Sequence, residues 1–507
     1  MKVFTAVAFL LLSAVANCQQ EPLGIFDGHK DIGNPKQAGA AEYNASEQAY
    51  TIKGGGYNIL FNRDEFHYLY KKLAGDFILT ANFEFLGDKG NNHRKIGWMV
   101  RPNSDESAAQ ICAVSHGDGL TVLQWRVLHG AYMRDPEDEI ATPKKNFEII
   151  QLERSGKTIT MRVAHPGEPL QVVGSHDMAD MPDSVLAGLF ICAHDSATTE
   201  QARVWNVRID KPVANNYNTN KSGYLPSRLE VLNIADGHRK IIHHYAGRFE
   251  APNWMPDGKS ILFNQDGIMY KIPVEGGETT VLNTGAVQQC NNDHGISFDG
   301  KQLAISSTAA NLPGGSSAVY VLPLAGGEPK LVTHQTPSYW HGWGPDGKTV
   351  LIVAQRGGSK IYNLYKVSTE TGAETALTTN TTGHVDGPEF SPDGKYIYYN
   401  ANVTGTMQLW RMKPDGSNKE QLTYDEYHNW FPHISPDGKW VAFISFPVDI
   451  DPDAHPFYKR VMLRVMPLTT PGSPKTAAYL FGGQGTFNAP SWSPDSKYLA
   501  FVSNSGQ

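Results

Sequence analysis

One short turn sequence recurs six times in the C-terminal half: MPDGKS, SFDGKQ, GPDGKT, SPDGKY, SPDGKW and SPDSKY, with its aspartate at 257, 299, 346, 393, 437 and 495. The copies lie 42, 47, 47, 44 and 58 residues apart. A fixed period of this size means one supersecondary unit per copy, stacked on its neighbours. Each copy continues into a lysine or equivalent and an alternating apolar run: KSILFNQ, KQLAISS, KTVLIVA, KYIYYNA, KWVAFIS and KYLAFVS. In x-Pro-Asp-Gly the proline presets the first turn position, the aspartate bonds its own backbone, and the glycine takes the left-handed position. The chain therefore reverses at each copy, and each copy is a hairpin.

A third strand and a second turn follow each hairpin, as in IMYKIPVEGGE, AVYVLPLAGGE and MQLWRMKPDGS, and then a short fourth strand. Four strands per period describe a propeller blade. The last copy stops after its second strand, and strands of the missing type stand instead before the first copy, in SRLEVLNIADGHRKIIHHY at 227–245. Pairing the two ends in one blade closes the ring, which predicts six blades over 224–507. Composition agrees, since 49 Gly, 31 Pro, 10 Trp, 22 Tyr and 21 Phe suit short strands and tight turns better than a helical bundle.

The repeat resembles the TolB-type propeller, whose blades read Trp- or Phe-Ser-Pro-Asp-Gly-Lys, then an Ile-Tyr-or-Trp-x-Met strand and an Asp-Gly turn. The copy at 388–423, PEFSPDGKYIYYNANVTGTMQLWRMKPDGSNKEQLT, matches throughout. TolB itself is an envelope scaffold with a different kind of N-terminal domain, so the likeness implies the fold rather than the Tol role. The same propeller precedes the hydrolase domain of prolyl-oligopeptidase-like proteins. No G-x-S-x-G elbow occurs in this chain, which predicts that it is not a serine peptidase.

Residues 24–209 lack the repeat but alternate apolar and polar positions in DFILTANFEF, KIGWMV, LTVLQWRV and TITMRVA, an antiparallel sandwich pattern. Asp31-Ile32-Gly33, Gly54-Gly55-Gly56, Asp64-Glu65-Phe66-His67, Gly75-Asp76 and Gly97-Trp98-Met99-Val100-Arg101 resemble a bacterial family of concanavalin-like, laminin-G-like sandwiches. That resemblance implies an accessory glycan module in which Asp31, Asp64, His67 and Arg101 either meet a ligand or stitch loops. Residues 210–223, DKPVANNYNTNKSG, read as a linker. The whole is all-β: a concanavalin-like sandwich followed by a six-bladed propeller.

Residues 1–16, MKVFTAVAFLLLSAVA, have the form of a signal peptide, with Ala14-Val15-Ala16 as the cleavage pattern, so the protein is expected to be exported, periplasmic or secreted. Cys18 follows and would carry a lipid anchor if the chain is a lipoprotein. No later run is apolar and long enough to span a bilayer. Cys112 and Cys192 lie in strand-like segments, as a bridge or as two buried thiols. With 44 Lys and Arg against 51 Asp and Glu, and no basic run, the chain carries no footprint for nucleic acid.

Innermost strands line a propeller's funnel, so residues counted back from each turn aspartate are the candidates for chemistry. Five positions back stand His294 and His341, and one position further on stand Glu389 and His433. If these four converge, they would hold a divalent metal, manganese, zinc or calcium; otherwise they line a wet channel. Oligogalacturonate lyases are similar in holding a metal in a propeller funnel. Asp386 and Glu389, with His433, are the candidates for acid–base work on a glycosidic bond. Trp340 and Trp430, beside Tyr339 and Phe431, offer stacking surfaces for a sugar or core packing between blades. Asn292, Gln408, Arg411, Gln484 and Asn488 add partners for hydroxyls or carboxylates. The insertion FPVDIDPDAHPFYKR at 446–460 starts like a calcium loop, but Ala454 and Arg460 stand where glycine and glutamate are required. It is expected to be a loop over the funnel, with His455 touching the ligand.

These features point to an exported protein that recognises, and as an enzyme would process, a carbohydrate or polysaccharide in the propeller funnel as a lyase or glycoside hydrolase. The competing expectation is a non-catalytic envelope scaffold binding envelope proteins through a propeller face.

Overall fold

The computed structural model describes residues 23–87, 89–469 and 472–506. Residues 1–16, expected to form a signal peptide, and Cys18 lie outside the described residues. No helix among the described residues is long and apolar enough to cross a membrane.

Alternating sequence runs pair into two seven-stranded antiparallel sheets between Gly28 and Asp210. One runs in the order Gly28–Ile32, Phe66–Leu73, Val185–Cys192, Lys95–Arg101, Gln110–His116, Thr121–Arg126 and Glu139–Ala141. The other runs Gln171–Asp177, Thr158–Ala164, Ile149–Ser155, Phe77–Phe85, Glu200–Asp210, Ala49–Gly54 and Ala40–Asn44. Leu69, Leu79, Trp98, Ile111, Leu152, Leu189 and Val204 fill the space between them.

The far face of the first sheet is covered as well: Ile59 packs with Phe66, Tyr68, Met99, Cys112 and Cys192. Cys112 and Cys192 are free buried thiols. Asp64 is fully buried, takes both Nη atoms of Arg126 at 2.6 and 2.9 Å, and lies 3.5 Å from Arg101. Asp31 bonds His67 Nδ1 at 2.7 Å and accepts the Gly39 N–H. These motif side chains bind the covering loops to the sheet.

The second half forms six sheets, five of them four-stranded. The ring closes as the sequence predicts, because Ser227–Asn233 pairs along its length with the C-terminal strand Tyr498–Asn504, and Arg239–Tyr245 forms the outer edge. Trp492 adds a bridge to Leu499 on the inner side. Counting this closing blade as the first, the innermost strands of blades 2 to 6 are Phe249–Trp254, Cys290–Ile296, Ser338–Trp343, Val385–Phe390 and His428–Ile434.

The repeated turns have the geometry their sequence demands. Gly258, Gly300, Gly347, Gly394 and Gly438 have φ between 64° and 70°, and Ser496, which replaces glycine in the last copy, takes φ 62°. The serine preceding the turn donates to the turn aspartate, as in Ser391 to Asp393 at 2.7 Å and Ser435 to Asp437 at 2.6 Å. Blades touch so closely that a Cβ on Gly295 would fall 2.0 Å from the Trp340 indole. Trp343 Nε1 donates to the Gly295 carbonyl at 2.9 Å.

Residues 210–223, polar enough to read as a linker, are packed down. Val213 and Tyr217 join Leu225, Phe457, Tyr458 and Phe481 in a small apolar cluster, which their few apolar side chains suffice to form. The two halves are also joined by charge. Glu230 of the first blade, fully buried, pairs with Arg208 of the sandwich at 2.6 Å and with Arg239 at 2.9 Å, and it accepts a bond from Ser503 Oγ of the closing strand. Arg228 pairs with Asp210 at 2.8 Å, and Arg460 reaches Glu153 of the sandwich.

Candidate functional site

Every innermost strand of blades 2 to 6 carries a β-bulge, and the bulges decide which side chains face the funnel. In blade 4 the pairing register shifts between Trp340 and Gly342, leaving His341 as the extra residue. In blade 3 the shift falls between Cys290 and His294, so His294 has already rejoined the ladder opposite Ile305. Blades 5 and 6 shift between Asp386 and Glu389 and between Trp430 and His433, with Gly387 at φ 59° and Phe431 at φ 55° inside the bulges. A positive φ is uncommon for a bulky aromatic residue and marks a backbone held in place by its surroundings. Bulges re-aim side chains.

A cavity of about 270 Å³ results, lined from blades 3 to 6 by Asn292, Asp293, Tyr339, His341, Asp386, Trp430 and Phe431. Tyr362 and His384 enter from loops of blades 4 and 5, Asp453 and His455 from the 446–460 insertion, and Gln484 and Asn488 from the segment before the closing strand. The insertion is fixed there: Asp453 accepts from Asn402 Nδ2, and His455 Nδ1 meets Gln484 Oε1. Asn488 Nδ2 donates to the same oxygen at 3.3 Å.

His341 Nε2 lies 3.1 Å from Asp386 Oδ1, and His455 Nε2 lies 3.9 Å from Asp386 Oδ2. The Gly387 N–H donates to Asp386 Oδ1 at 2.7 Å. Burial opposes the charge on both members of the His341–Asp386 pair, but their mutual attraction and the other neighbours of each outweigh it. His341 is thereby raised above the ordinary imidazole value and Asp386 held below the ordinary carboxylate value. The His341 ring stacks on Phe431 at 6.0 Å between centroids, and Trp430 meets the His455 ring at 4.5 Å edge to face.

Asp293 is the opposite case. It is 6% exposed, and its carboxyl accepts no hydrogen bond from the described residues. Burial, with Asp386 and Glu250 nearby, pushes its pKa up to about 7 against the lowering effect of His341. Two further polar atoms of the lining residues are buried without a partner, Asn292 Nδ2 and Trp430 Nε1. Buried polar groups are nearly always paired in folded proteins, so these two atoms, beside the cavity-facing and unpaired Asp293 carboxyl, give the wall a polar character.

The sequence-derived candidates divide on this geometry. Asn292, His341, Asp386, Trp430, His455, Gln484 and Asn488 meet at the cavity. Glu389 and His433 do not line it. They pair with each other at 2.6 Å, and Glu389 also accepts the Ile434 N–H while His433 Nε2 meets the Phe487 carbonyl at 3.1 Å. His294 is fully buried beside the Ala251 backbone, and burial pushes its pKa down to about 3. His294, His341, Glu389 and His433 thus do not form one ligand set, and among the described residues no group of three or more His, Cys, Asp or Glu side chains could hold a metal ion.

Trp340 lies in the core between blades 3 and 4 with Val319, Trp343 and Ile352. Gln408 Nε2 bonds the carbonyls of Asp425 and Tyr427 at 3.0 and 2.9 Å, and Arg411 pairs with Glu420 at 2.7 Å. Gln408 ties blade 5 to the connection into blade 6, and Arg411 stitches the outer strands of blade 5. Reasoning from the sequence missed Asp293, Tyr362 and His384. Asp293 was within reach, since it precedes His294, but only the bulge position tells which of the two turns inward.

The family model of the TolB β-propeller domain matches residues 310–449. An uncharacterized protein of Agrobacterium fabrum is 42% identical over 285 residues, which is 56% of this chain and 94% of the relative. A solved structure from Agrobacterium tumefaciens, described as that of a candidate TolB, is 42% identical, with a TM-score of 0.52, over 56% of this chain and 99% of its own. An oligogalacturonate lyase in complex with manganese is 11% identical with a TM-score of 0.34, covering 59% of this chain and 97% of its own, a likeness too distant to bear on function. By its repeat, its closed ring and its identity to nearly the full length of these relatives, the chain belongs to the family of TolB-type β-propeller proteins.

Proposed function

We propose that this is an exported carbohydrate-recognising protein whose ligand enters the propeller funnel, with the sandwich as an accessory glycan module. The observation that carries the reading is the set of unpartnered polar groups, Asn292 Nδ2, Trp430 Nε1 and the Asp293 carboxyl, around one cavity with aromatic walls. Sugars present hydroxyls at their edges and C–H faces to aromatic rings, so a wall of Tyr339, Tyr362, Trp430 and Phe431 interrupted by polar groups suits them.

The two carboxyl groups extend the reading to chemistry. Asp293, whose burial leaves about half of it protonated at neutral pH, donates a proton to a glycosidic oxygen. Asp386, held ionised by His341, takes the proton of the attacking water. Environments that drive two acids apart in pKa assign them opposite roles in glycoside cleavage.

Calorimetric titration against a panel of plant, bacterial-wall and chitin-type oligosaccharides tests the binding, and reducing-end release tests the cleavage. The reading expects one oligosaccharide class to bind the wild type, Asn292→Ala to weaken it at least tenfold, and Asp293→Asn to abolish release. Absence of binding by every class, or binding untouched by Asn292→Ala, overturns the funnel as the site.

A further inference from the structure

The charge of the cavity wall narrows the ligand class, an inference that rests on the carbohydrate reading above. Three carboxyl groups line the cavity, those of Asp293, Asp386 and Asp453, and among the described residues neither lysine nor arginine lines it. His341 spends its positive charge on Asp386 at 3.1 Å. Behind Asp293 stands Glu250, a further buried acid whose nearest cation, Arg248, is 3.7 Å away on the same segment. His384 and His455 are the remaining titratable lining groups apart from Tyr339 and Tyr362. The acids therefore exceed the cations available to them.

The rings add to this. Tyr339, Tyr362, Trp430 and Phe431 stand in the same wall as the carboxylates. Aromatic faces attract cations, most strongly where water is displaced, and aromatic walls combined with carboxylates are how proteins receive organic ammonium groups. An uronate, sulfated or phosphorylated sugar would meet this negative wall with no guanidinium or ammonium to receive it, because anion sites rely on Arg, Lys or helix N-termini. The 94% burial of Asp293 without a hydrogen-bond partner supplies an independent sign that a donor belongs there.

We infer that the funnel ligand is a cationic amino sugar, its ammonium group received by Asp293 and Asp386 against the aromatic wall. The free amine supplies three N–H donors to carboxyl oxygens, while the ring stacks on the aromatic side chains and its hydroxyls reach Asn292, Gln484 and Asn488. An N-acetyl group removes the charge and adds bulk at the same place.

Calorimetric titration of the full-length protein with four probes tests this: a glucosamine tetramer, an N-acetylglucosamine tetramer, a galacturonic acid tetramer and spermidine. The glucosamine tetramer is expected to bind at least tenfold more tightly than the acetylated one, with no binding by galacturonate. Asp293→Asn, nearly isosteric, and Asp453→Asn, on the surface loop, should each lower glucosamine affinity several-fold, and thermal melts of both variants check that they are folded. Equal or tighter binding of the acetylated tetramer, or binding of galacturonate, overturns the cationic ligand and leaves the carbohydrate reading standing. Binding of spermidine alone, lost in Asp293→Asn, overturns the carbohydrate reading and keeps the cationic pocket. Binding by none of the four overturns the inference.

Discussion

His341, buried, and Asp386, partly exposed to the cavity, form a pair, Nε2 to Oδ1 at 3.1 Å, across the bulged inner strands of blades 4 and 5. Removing one member takes the main partner from the other; for a fully buried pair this costs about 3–5 kcal/mol, and the partial exposure of Asp386 and its Gly387 N–H bond keep the cost toward the lower end. His341→Ala is therefore expected to lower stability by a few kcal/mol, and His341→Ala with Asp386→Asn to recover much of that loss. Urea unfolding of both variants and of Asp386→Asn gives the coupling. Additive effects would mean that the two side chains do not interact.

Asp293 predicts a conflict between function and stability. Its folded pKa, about 7, lies above its ordinary value of 3.8, so the folded state holds the proton more tightly than the unfolded chain does. Its contribution is most favourable below about pH 4 and is lost progressively as pH rises to about 7, a loss of roughly 4 kcal/mol by proton linkage. Asp293→Asn removes that loss. It should raise the melting temperature at pH 8, change it little near pH 4, and lower ligand affinity several-fold. A variant less stable than the wild type at pH 8 would show that the carboxylate is compensated.

Much of this architecture is legible in the chain. The PDG turns specify hairpins through local chemistry alone, and the unpaired strands at 227–245 and 490–504 announce their own partnership. The site is legible only in part. Counting back from each turn aspartate assumes the same register in every blade, and the bulges break that assumption. His294 and His341 stand at equal count, yet one rejoins the ladder and the other is the extra residue. Glu389 and His433 neighbour the funnel in sequence and satisfy each other instead, because carboxylate and imidazole on adjacent inner strands pair wherever they meet. Tyr362 and His384 come from loops with no repeat signal.

The blade contact at Gly295 gives a packing prediction. Since a Cβ there would lie 2.0 Å from the Trp340 indole, Gly295→Ala forces the ring or the blade to move. Overpacking of this kind costs about 1–3 kcal/mol. Denaturant unfolding should show that loss, and Gly295→Ala with Trp340→Phe should recover part of it. An unchanged midpoint for Gly295→Ala would mean that the inter-blade space is slack.

Glu230 ties the two halves and the closing strand together, through Arg208, Arg239 and Ser503. Glu230→Gln leaves two buried guanidinium groups without their anion, and a loss of about 3–5 kcal/mol is expected. Calorimetry should then show the propeller melting earlier. Deleting residues 490–507 removes the partner of Ser227–Asn233 and should abolish cooperative propeller melting altogether.

The central claim is that the funnel cavity between blades 3 and 6 is the ligand site. A crystal structure of the protein soaked with the glucosamine tetramer tests it most directly. The account predicts a sugar ring between Asn292 and Trp430, with its amine within hydrogen-bond distance of the Asp293 carboxyl. Sugar bound on the sandwich, with the funnel holding only water, would contradict it.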